Sequence, residues 1–279
     1  MTVPTTILFP TDFAGRCDRP RERAALLARE WGGRLVLLHV LSGESANLVV
    51  LEEATGRAEA SLREEVRGEG FEVATKVATG DVAQAVLEAA TQFEADVIVT
   101  GLSRRDGLSD YLVGSTVERV ARSSRLPVLV VKEQSAAEYR RIAVATDFST
   151  SSTEALRVAL ATFPRATFSL VHAYHVRWEA IRGRDEPAAA QQAEIADELD
   201  RFLASFPPAL RERLDVTVDY GDECRVVSDH VQVNGIDLAV VGTRGRSGLV
   251  AAVLGSTARA LVECLDCDVL LVPQRSDDE

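Results

Sequence analysis

Gly242-Thr243-Arg244-Gly245, then nine residues, then Gly255-Ser256, is the stretch of this 279-residue chain best suited to hold an anion. Glycines let backbone N–H groups turn toward a ligand with no Cβ in the way. The run follows the apolar stretch Asp237-Leu238-Ala239-Val240-Val241 and opens a helical pattern at Ser256-Thr257-Ala258-Arg259-Ala260-Leu261. The unpaired N–H groups and positive dipole end of a helix therefore face the same point, which is the chemistry of a phosphate cradle. Gly-rich strand-to-helix turns also serve as plain connectors, so the loop alone is weakly specific.

Repetition strengthens it. Thr11-Asp12-Phe13 recurs as Thr146-Asp147-Phe148, each closing an apolar run, and Leu38-His39-Val40 recurs as Val171-His172-Ala173. Gly80-Asp81 recurs as Gly221-Asp222, Ala95 to Gly101 as Ile236 to Gly242, and Gly114-Ser115-Thr116 as Gly255-Ser256-Thr257, all at an offset of 141 residues. Two copies of about 135 residues, an ordinary domain size, account for the chain. The expected domains are 1–134 and 139–279, joined by the polar stretch Lys132 to Arg140.

Other reactive side chains carry weaker signals. Asp12 and Asp147 read either as ligand-facing carboxylates or as caps of the helices that follow. His39 and His172, near strand ends, read as packed or hydrogen-bonded histidines rather than bases. His172 and His175 lack further ligands for a metal. Cys264-Leu265-Asp266-Cys267 is a CxxC, but with no second CxxC and no thioredoxin-like context it reads as two small buried hydrophobes. GxxxxGK[ST], a GxGxxG after the first strand and GxSxG are all missing. The Ser-Gly-Gly loop of ATP-using ligases on a related sheet is missing after Thr11 and Thr146. Asp147 is the only acid expected in the crevice core, and a lone carboxylate makes a poor acid/base pair, so hydrolysis, if any, is expected to be slow.

The elements that position these residues alternate between short Val/Ile/Leu-rich runs and longer helical patterns, the mark of β-α-β units around a parallel sheet. In the second copy strands are expected near 141–146, 167–173, 215–220, 237–242 and 268–272, and helices near 150–163, 186–206, 223–234 and 256–265. Thr150 to Glu154 supply cap-type residues and an early acid. The first copy follows the same plan, least regularly at Gly15 to Pro20, where Asp18 is a candidate cap and Pro20 falls in a first turn. Apolar residues make up 46% of the chain, no apolar run approaches the ~20 residues of a bilayer span, and the formal charge of −12 disfavours nucleic acid and anionic membranes. Met1-Thr2-Val3-Pro4 lacks a basic-then-apolar leader pattern, so a cytoplasmic location is expected.

An open doubly wound sheet binds ligands beyond the carboxyl ends of its strands, where the chain order reverses. That gathers Ala145-Thr146-Asp147, His172-Ala173 and the Gly242 loop. With Asp147, Gly242, Gly245, Gly255 and Ser256 in its nucleotide motif, the chain resembles the universal stress protein family in its tandem two-domain form. The resemblance implies flavodoxin-like (Rossmann-like) α/β domains, each a five-stranded parallel sheet of order 3-2-1-4-5 with helices on both faces. It implies ATP at the switch point, with Mg or Mn on its phosphates and no metal held by protein side chains. Asp147 and the backbone around Ala173 would lie near adenine, the backbone at Ala145 and Gly242 near ribose, and Gly245 to Ser256, with Arg244, Arg246 and Thr257, around the phosphates. It further implies domains paired through their last strands, Val128 to Val131 and Val269 to Val272, as an intramolecular pseudo-dimer. Exposed apolar edges would otherwise be an aggregation hazard.

The first copy keeps Pro10, Thr11, Asp12, Val40, Gly101, Gly114 and Ser115 but puts Arg104 opposite Gly245. If that position needs a left-handed backbone, a non-glycine residue costs about 1–2 kcal/mol. Arg104, Arg105, Asp106 and Asp110 also sum to zero charge, whereas the second loop holds Arg244 and Arg246. The expected function is a stress-response regulator binding ATP mainly through the second copy, with nucleotide state biasing assembly, further homodimerisation or docking of a regulatory protein. A nucleotide-independent interaction module and a slow ATPase remain the alternatives.

Overall fold

The structure, a computed structural model, describes residues 4–41, 48–65, 70–104, 111–112, 115–132, 137–174, 186–245 and 254–274. Arg105, Asp106, Asp110, Gly114, His175, Arg246 and the middle of the joint, 133–136, lie outside the described residues.

The first repeat runs β1 (Thr6–Thr11), a short 3-10 turn (Gly15–Cys17), α1 (Asp18–Trp31), β2 (Arg34–Leu41), α2 (Leu48–Glu65), β3 (Glu72–Thr79), α3 (Val82–Gln92), β4 (Val97–Gly101), the two-residue strands β5 (Ser103–Arg104) and β6 (Tyr111–Leu112), α4 (Ser115–Ser123) and β7 (Val128–Val131). The second runs β8 (Arg141–Ala145), α5 (Thr150–Thr162), β9 (Thr167–Tyr174), α6 (Glu186–Ala204), α7 (Pro208–Arg211), β10 (Leu214–Tyr220), α8 (Glu223–Asn234), β11 (Leu238–Gly242), α9 (Ser256–Cys264) and β12 (Asp268–Val272). The short α7 is not marked by the sequence periodicity.

Each repeat contributes five parallel strands in the order 3-2-1-4-5, and these ten merge into one sheet, β10-β9-β8-β11-β12-β7-β4-β1-β2-β3, while β5 and β6 form a separate antiparallel pair. The join is antiparallel, pairing Val269 with Val130, Leu270 with Leu129 and Leu271 with Val128. The two apolar edge strands thus cover each other, as their sequences require. Alternate residues of every central strand feed two hydrophobic layers that run across both repeats. One packs under α1, α2, α5 and α6 and contains Ile7, Phe9, Leu129, Val144 and Leu270. The other packs under α3, α4, α8 and α9 and contains Leu8, Ile98, Val130, Val241 and Leu271.

Helix starts differ from expectation in detail. Ser149, one residue before the expected Thr150, caps α5 by accepting the Ser152 N–H. Asp18 does not cap α1 but is its first residue. Asp81 and Asp222 are the side-chain caps, of α3 and α8. Each follows a glycine with positive φ, +108° at Gly80 and +144° at Gly221, which explains why the Gly-Asp pair recurs.

At the join lies a buried polar cluster. Asp268, 2% exposed, accepts the Lys132 backbone N–H at 2.8 Å and the Tyr139 hydroxyl. Arg23 Nε lies 3.5 Å from the same carboxylate oxygen that takes the Tyr139 hydroxyl, and its guanidinium stacks on the Tyr139 ring at 4.1 Å. Lys132 Nζ donates to the Leu265 carbonyl. Removing one partner of a buried charge pair leaves the other uncompensated, so Asp268→Ala should lower unfolding stability by about 3–5 kcal/mol in urea titration, and Tyr139→Phe by about 1–2 kcal/mol.

The same cluster sets a pH response. Burial outweighs the neighbouring acids and holds Lys132 down to about 8 from an ordinary 10.5. The unfolded chain then takes up a proton that the fold resists, so stability rises with pH through that interval. Cys17 and Cys267 act oppositely from pH 9, because burial pushes their thiols up to about 11 and about 12. Between pH 8 and 9, where the thiols already offset part of the gain, the change in stability measured by urea unfolding should be about 1 kcal/mol more positive in the wild type than in Lys132→Met.

Candidate functional site

The carboxyl end of each first strand carries one local module. In Thr146-Asp147-Phe148 the Thr146 hydroxyl accepts the Phe148 N–H at 2.9 Å and Asp147 Oδ1 accepts the Ser149 N–H at 3.0 Å. Phe148 takes φ +61° and its counterpart Phe13 φ +62°. A bulky residue there costs about 1–2 kcal/mol, and the surroundings over-determine it. The Phe148 ring lies 4.3 Å from His172, whose Nδ1 is 2.7 Å from the Thr146 carbonyl. A carbonyl can only accept, so Nδ1 carries the proton. In the first repeat His39 does the same with Thr11 and Phe13, at 2.9 Å and 4.4 Å. The histidines are thus supports of the turn, as expected, and His172 stands behind the crevice wall rather than in it. Neither Asp12 nor Asp147 caps the following helix, which removes the capping alternative.

Beyond the ends of β8, β9 and β11 opens a cavity of about 340 Å3. Ala145, Thr146, Asp147, Ala173, Gly242, Arg244, Gly245, Gly255, Ser256 and Thr257, all expected there, line it. The wall also includes Ser152, Val171, Glu223, Val227, Val241, Ala258 and Leu261. Glu223 corrects the expectation that Asp147 is the only acid in the crevice. It begins α8, and the first turns of α5, α8 and α9 all start at this end of the sheet, a topological signal that would have found Ser152 and Glu223.

The loop is stitched at both ends. Gly255 N–H donates to the Thr243 carbonyl and Thr243 N–H to the Val272 carbonyl, each at 2.9 Å, while Arg244 N–H reaches Ser151 Oγ at 3.3 Å. Gly245 does not take the left-handed backbone considered for that position; among the described glycines positive φ belongs to Gly32, Gly80, Gly221 and Gly235. Its requirement is space, since a Cβ there would lie 3.3 Å from Asp147 Oδ2. At Gly242 a Cβ would fall 2.4 Å from Ser151 Oγ and 2.9 Å from its backbone carbonyl.

The first repeat builds the same turn with different occupants. Arg16 and Cys17 stand where the second repeat has Ser151 and Ser152. Arg16 pairs with Asp12 Oδ2, and Cys17 Sγ lies 3.1 Å from Oδ1. Burial works to raise the Asp12 pKa, but the bonds from Cys17 and Ala14 and the Arg16 charge outweigh it and hold it below the usual carboxylate value. Pro20 crowds Gly101, where a Cβ would lie 2.7 Å from its Cγ. Opposite Gly245, the backbone at Arg104 is an extended strand paired with Tyr111, and β6 lies against α9 of the other repeat. Ser115 opens α4 as Ser256 opens α9. Arg259 and Glu118, equivalent by sequence, meet across the repeats at 3.6 Å.

Among the described residues no helix is long and apolar enough to cross a membrane. No group of three or more His, Cys, Asp and Glu there could hold a metal ion. Two doubly wound α/β units sharing a sheet, one with a glycine-lined crevice at its switch point, define a tandem flavodoxin-like protein. The universal stress protein family matches residues 4–132 and 138–273, and the chain belongs to that family. Universal stress protein Rv2005c of Mycobacterium tuberculosis (strain ATCC 25618 / H37Rv) is 30% identical over 192 residues, a match covering 65% of this chain and 63% of that relative. Less than two thirds of that protein's length is therefore matched. A universal stress protein from Archaeoglobus fulgidus DSM 4304 shares the fold with TM-score 0.71 at 16% identity, covering 97% of this chain and 98% of that one. Protein PA1789 from Pseudomonas aeruginosa PAO1 does so with TM-score 0.70 at 20% identity, covering 97% and 93%.

Gly242→Ala should force β11 away from α5 and lower stability by about 1–3 kcal/mol in urea unfolding, the range for overpacking. Gly255→Ala, whose Cβ would meet only the Thr243 carbonyl at 3.2 Å, should cost less.

Proposed function

We propose that the chain is a stress-response regulatory protein that binds ATP in its second domain, 139–279, with Mg2+ or Mn2+ carried on the phosphates. The first domain, 1–134, holds nucleotide far more weakly or not at all. The observation that carries this reading is the 340 Å3 crevice, within the usual size range of small-molecule sites. One end is formed by Arg244, Gly245, Gly255 and Ser256, where the first-turn N–H groups of α9 and its helix dipole favour a polyanion. The other end, with Asp147, Ala173 and Val171, offers a carboxylate beside apolar surface suited to a heteroaromatic base. In the first domain Arg16 occupies Asp12 and the cradle position is an extended strand.

The proposed role is regulatory. Joined edge strands make the two domains an intramolecular pseudo-dimer, and nucleotide occupancy shifts the balance between its arrangements, hence further homodimerisation or docking of a protein partner in the cytoplasm. Turnover, if any, is slow.

Calorimetric titration of the full, nucleotide-free chain with ATP and Mg2+ tests the reading. One site per chain is expected; a flat titration overturns it, and two equal sites would show that the first domain binds as well. Ser256→Ala and Gly245→Ala should each weaken binding by about 1–3 kcal/mol, the first through a lost bond to a charged group and the second by crowding Asp147.

A further inference from the structure

Cys264 bonds to Cys224, not to Cys267 of its CxxC, with Cα atoms 6.1 Å apart. Cys224 lies in the first turn of α8 and Cys264 in the last turn of α9. These helices form one wall of the crevice through Glu223, Val227, Ser256, Thr257, Ala258 and Leu261. The bridge closes a segment of 40 residues that contains β11 and the whole Gly242 to Gly255 cradle. By the repeat offset its partners align with Ala83 and Ser123, so the first repeat has no such bridge. There the same helix pair, α3 and α4, is tied by a bidentate Arg119 to Asp81 ion pair, both bonds 2.8 Å. The covalent tie therefore belongs to the repeat that carries the glycine-lined crevice.

We infer that Cys224 and Cys264 form a reversible thiol–disulfide site that clamps α8 to α9 and so sets the order of the crevice wall. Cys264 is exposed and Cys224 half-buried, so a thiolate reaches Cys264 first. A low-molecular-weight thiol, as its thiolate, attacks Cys264 Sγ; the S–S bond breaks and Cys224 leaves as a thiolate that takes up a proton. A second thiol attacks the small-molecule sulfur of the mixed disulfide and releases Cys264. Two thiols are oxidised to one small disulfide, and two electrons and two protons end on the cysteines. The reverse reaction, with a small disulfide as oxidant, restores the clamp. Cys267 does not compete, since it is buried and its thiol is pushed up to about 12, which keeps it protonated. Where the surrounding thiols are kept reduced, bridges of this kind are exchanging rather than structural.

The effect on nucleotide rests on the ATP reading above; the clamp itself does not. The full chain is equilibrated with oxidised or reduced glutathione, then alkylated under denaturing conditions and weighed. Two alkylated cysteines, Cys17 and Cys267, are expected after oxidation and four after reduction. Amide hydrogen exchange in α8 and α9 should rise on reduction while that in α3 and α4 stays unchanged. ATP affinity should fall by about fivefold or more, the lower end of measured couplings between sites. Cys224→Ala with Cys264→Ser, the pair that the first repeat carries, should behave as reduced protein under both conditions. Four alkylated cysteines after oxidation, or a bridge whose reduction leaves exchange in α8 and α9 unchanged, overturns the inference. If ATP binds in neither state, the ATP reading fails and the exchange result alone decides the clamp. ATP binding that is equal in both states, despite altered exchange, removes the coupling to the crevice.

Discussion

The antiparallel join of β7 and β12 is the constraint from which the rest of the molecule follows. Each half-sheet ends in a four- or five-residue apolar strand, and neither edge can be left to solvent without inviting association. Pairing them makes one sheet and two shared hydrophobic layers. A ladder needs a defined end, and Asp268 supplies it by taking the backbone N–H of Lys132, just past the last β7 residue. By the repeat offset its counterpart is Pro127, which has no carboxylate to accept, and that of Lys132 is Pro273, which has no N–H to donate, so this device exists at one end of the join only. A buried carboxylate costs several kcal/mol unless well partnered, and Tyr139, Arg23 and Lys132 partner it, all from the first repeat or the joint. The polar cluster thereby sets the register between the halves. Because the strands within each half are parallel and the halves antiparallel, the two switch points open toward opposite ends of the sheet.

Within each half the strained Phe turn does local work of the same kind. Phe148 holds a left-handed backbone because His172 packs against its ring and fastens to the carbonyl of Thr146, whose hydroxyl receives the Phe148 N–H. The turn ends the strand abruptly and leaves one Asp oxygen for the loop opposite. What that oxygen meets is decided four residues further on. Ser151 in the second repeat is small and accepts the Arg244 N–H, leaving Asp147 Oδ2 beside Gly245. Arg16 in the first repeat is long and basic and takes Asp12 itself. One scaffold thus presents two different partners to the same carboxylate.

The repeat, the strand order and the ten cavity-lining residues named in advance were legible because they rest on spacing: apolar periodicity, glycine positions and a constant offset. The strand and helix limits of the second copy came within about two residues for the same reason. What was not legible depends on side-chain reach. Arg16 is only four residues from Asp12, but no spacing rule marks a turn side chain as reaching back to it, and Glu223 comes to the wall from a helix start brought in by topology. The Cys224 to Cys264 bridge was hidden by a nearer and more suggestive partner, Cys267, which the end of α9 turns into the core. Spacing could not decide what Gly245 is for: its backbone is not left-handed, and the constraint is that a Cβ there would lie 3.3 Å from Asp147 Oδ2.

The polarity of the crevice bears on the proposed ligand more strongly than its volume does. The chain carries a formal charge of −12, and Asp147 and Glu223 both line the cavity, so a triphosphate is repelled from most of the surface and from part of the site. The exception is the arc from Arg244 to Ser256, where a guanidinium and the start of α9 concentrate positive potential. An evenly charged anion gains little from such a gradient. A ligand with a polyanionic end and an uncharged, hydrogen-bonding aromatic end fits it in one direction only, with the aromatic end toward Asp147 and Ala173. A divalent cation on the phosphates lowers their repulsion from the acidic surroundings without any protein ligand. Among the described residues of the first repeat, Arg16 pairs with the carboxylate at the matching end and a paired strand stands at the cradle position. The difference between the repeats is thus one of field as much as of shape.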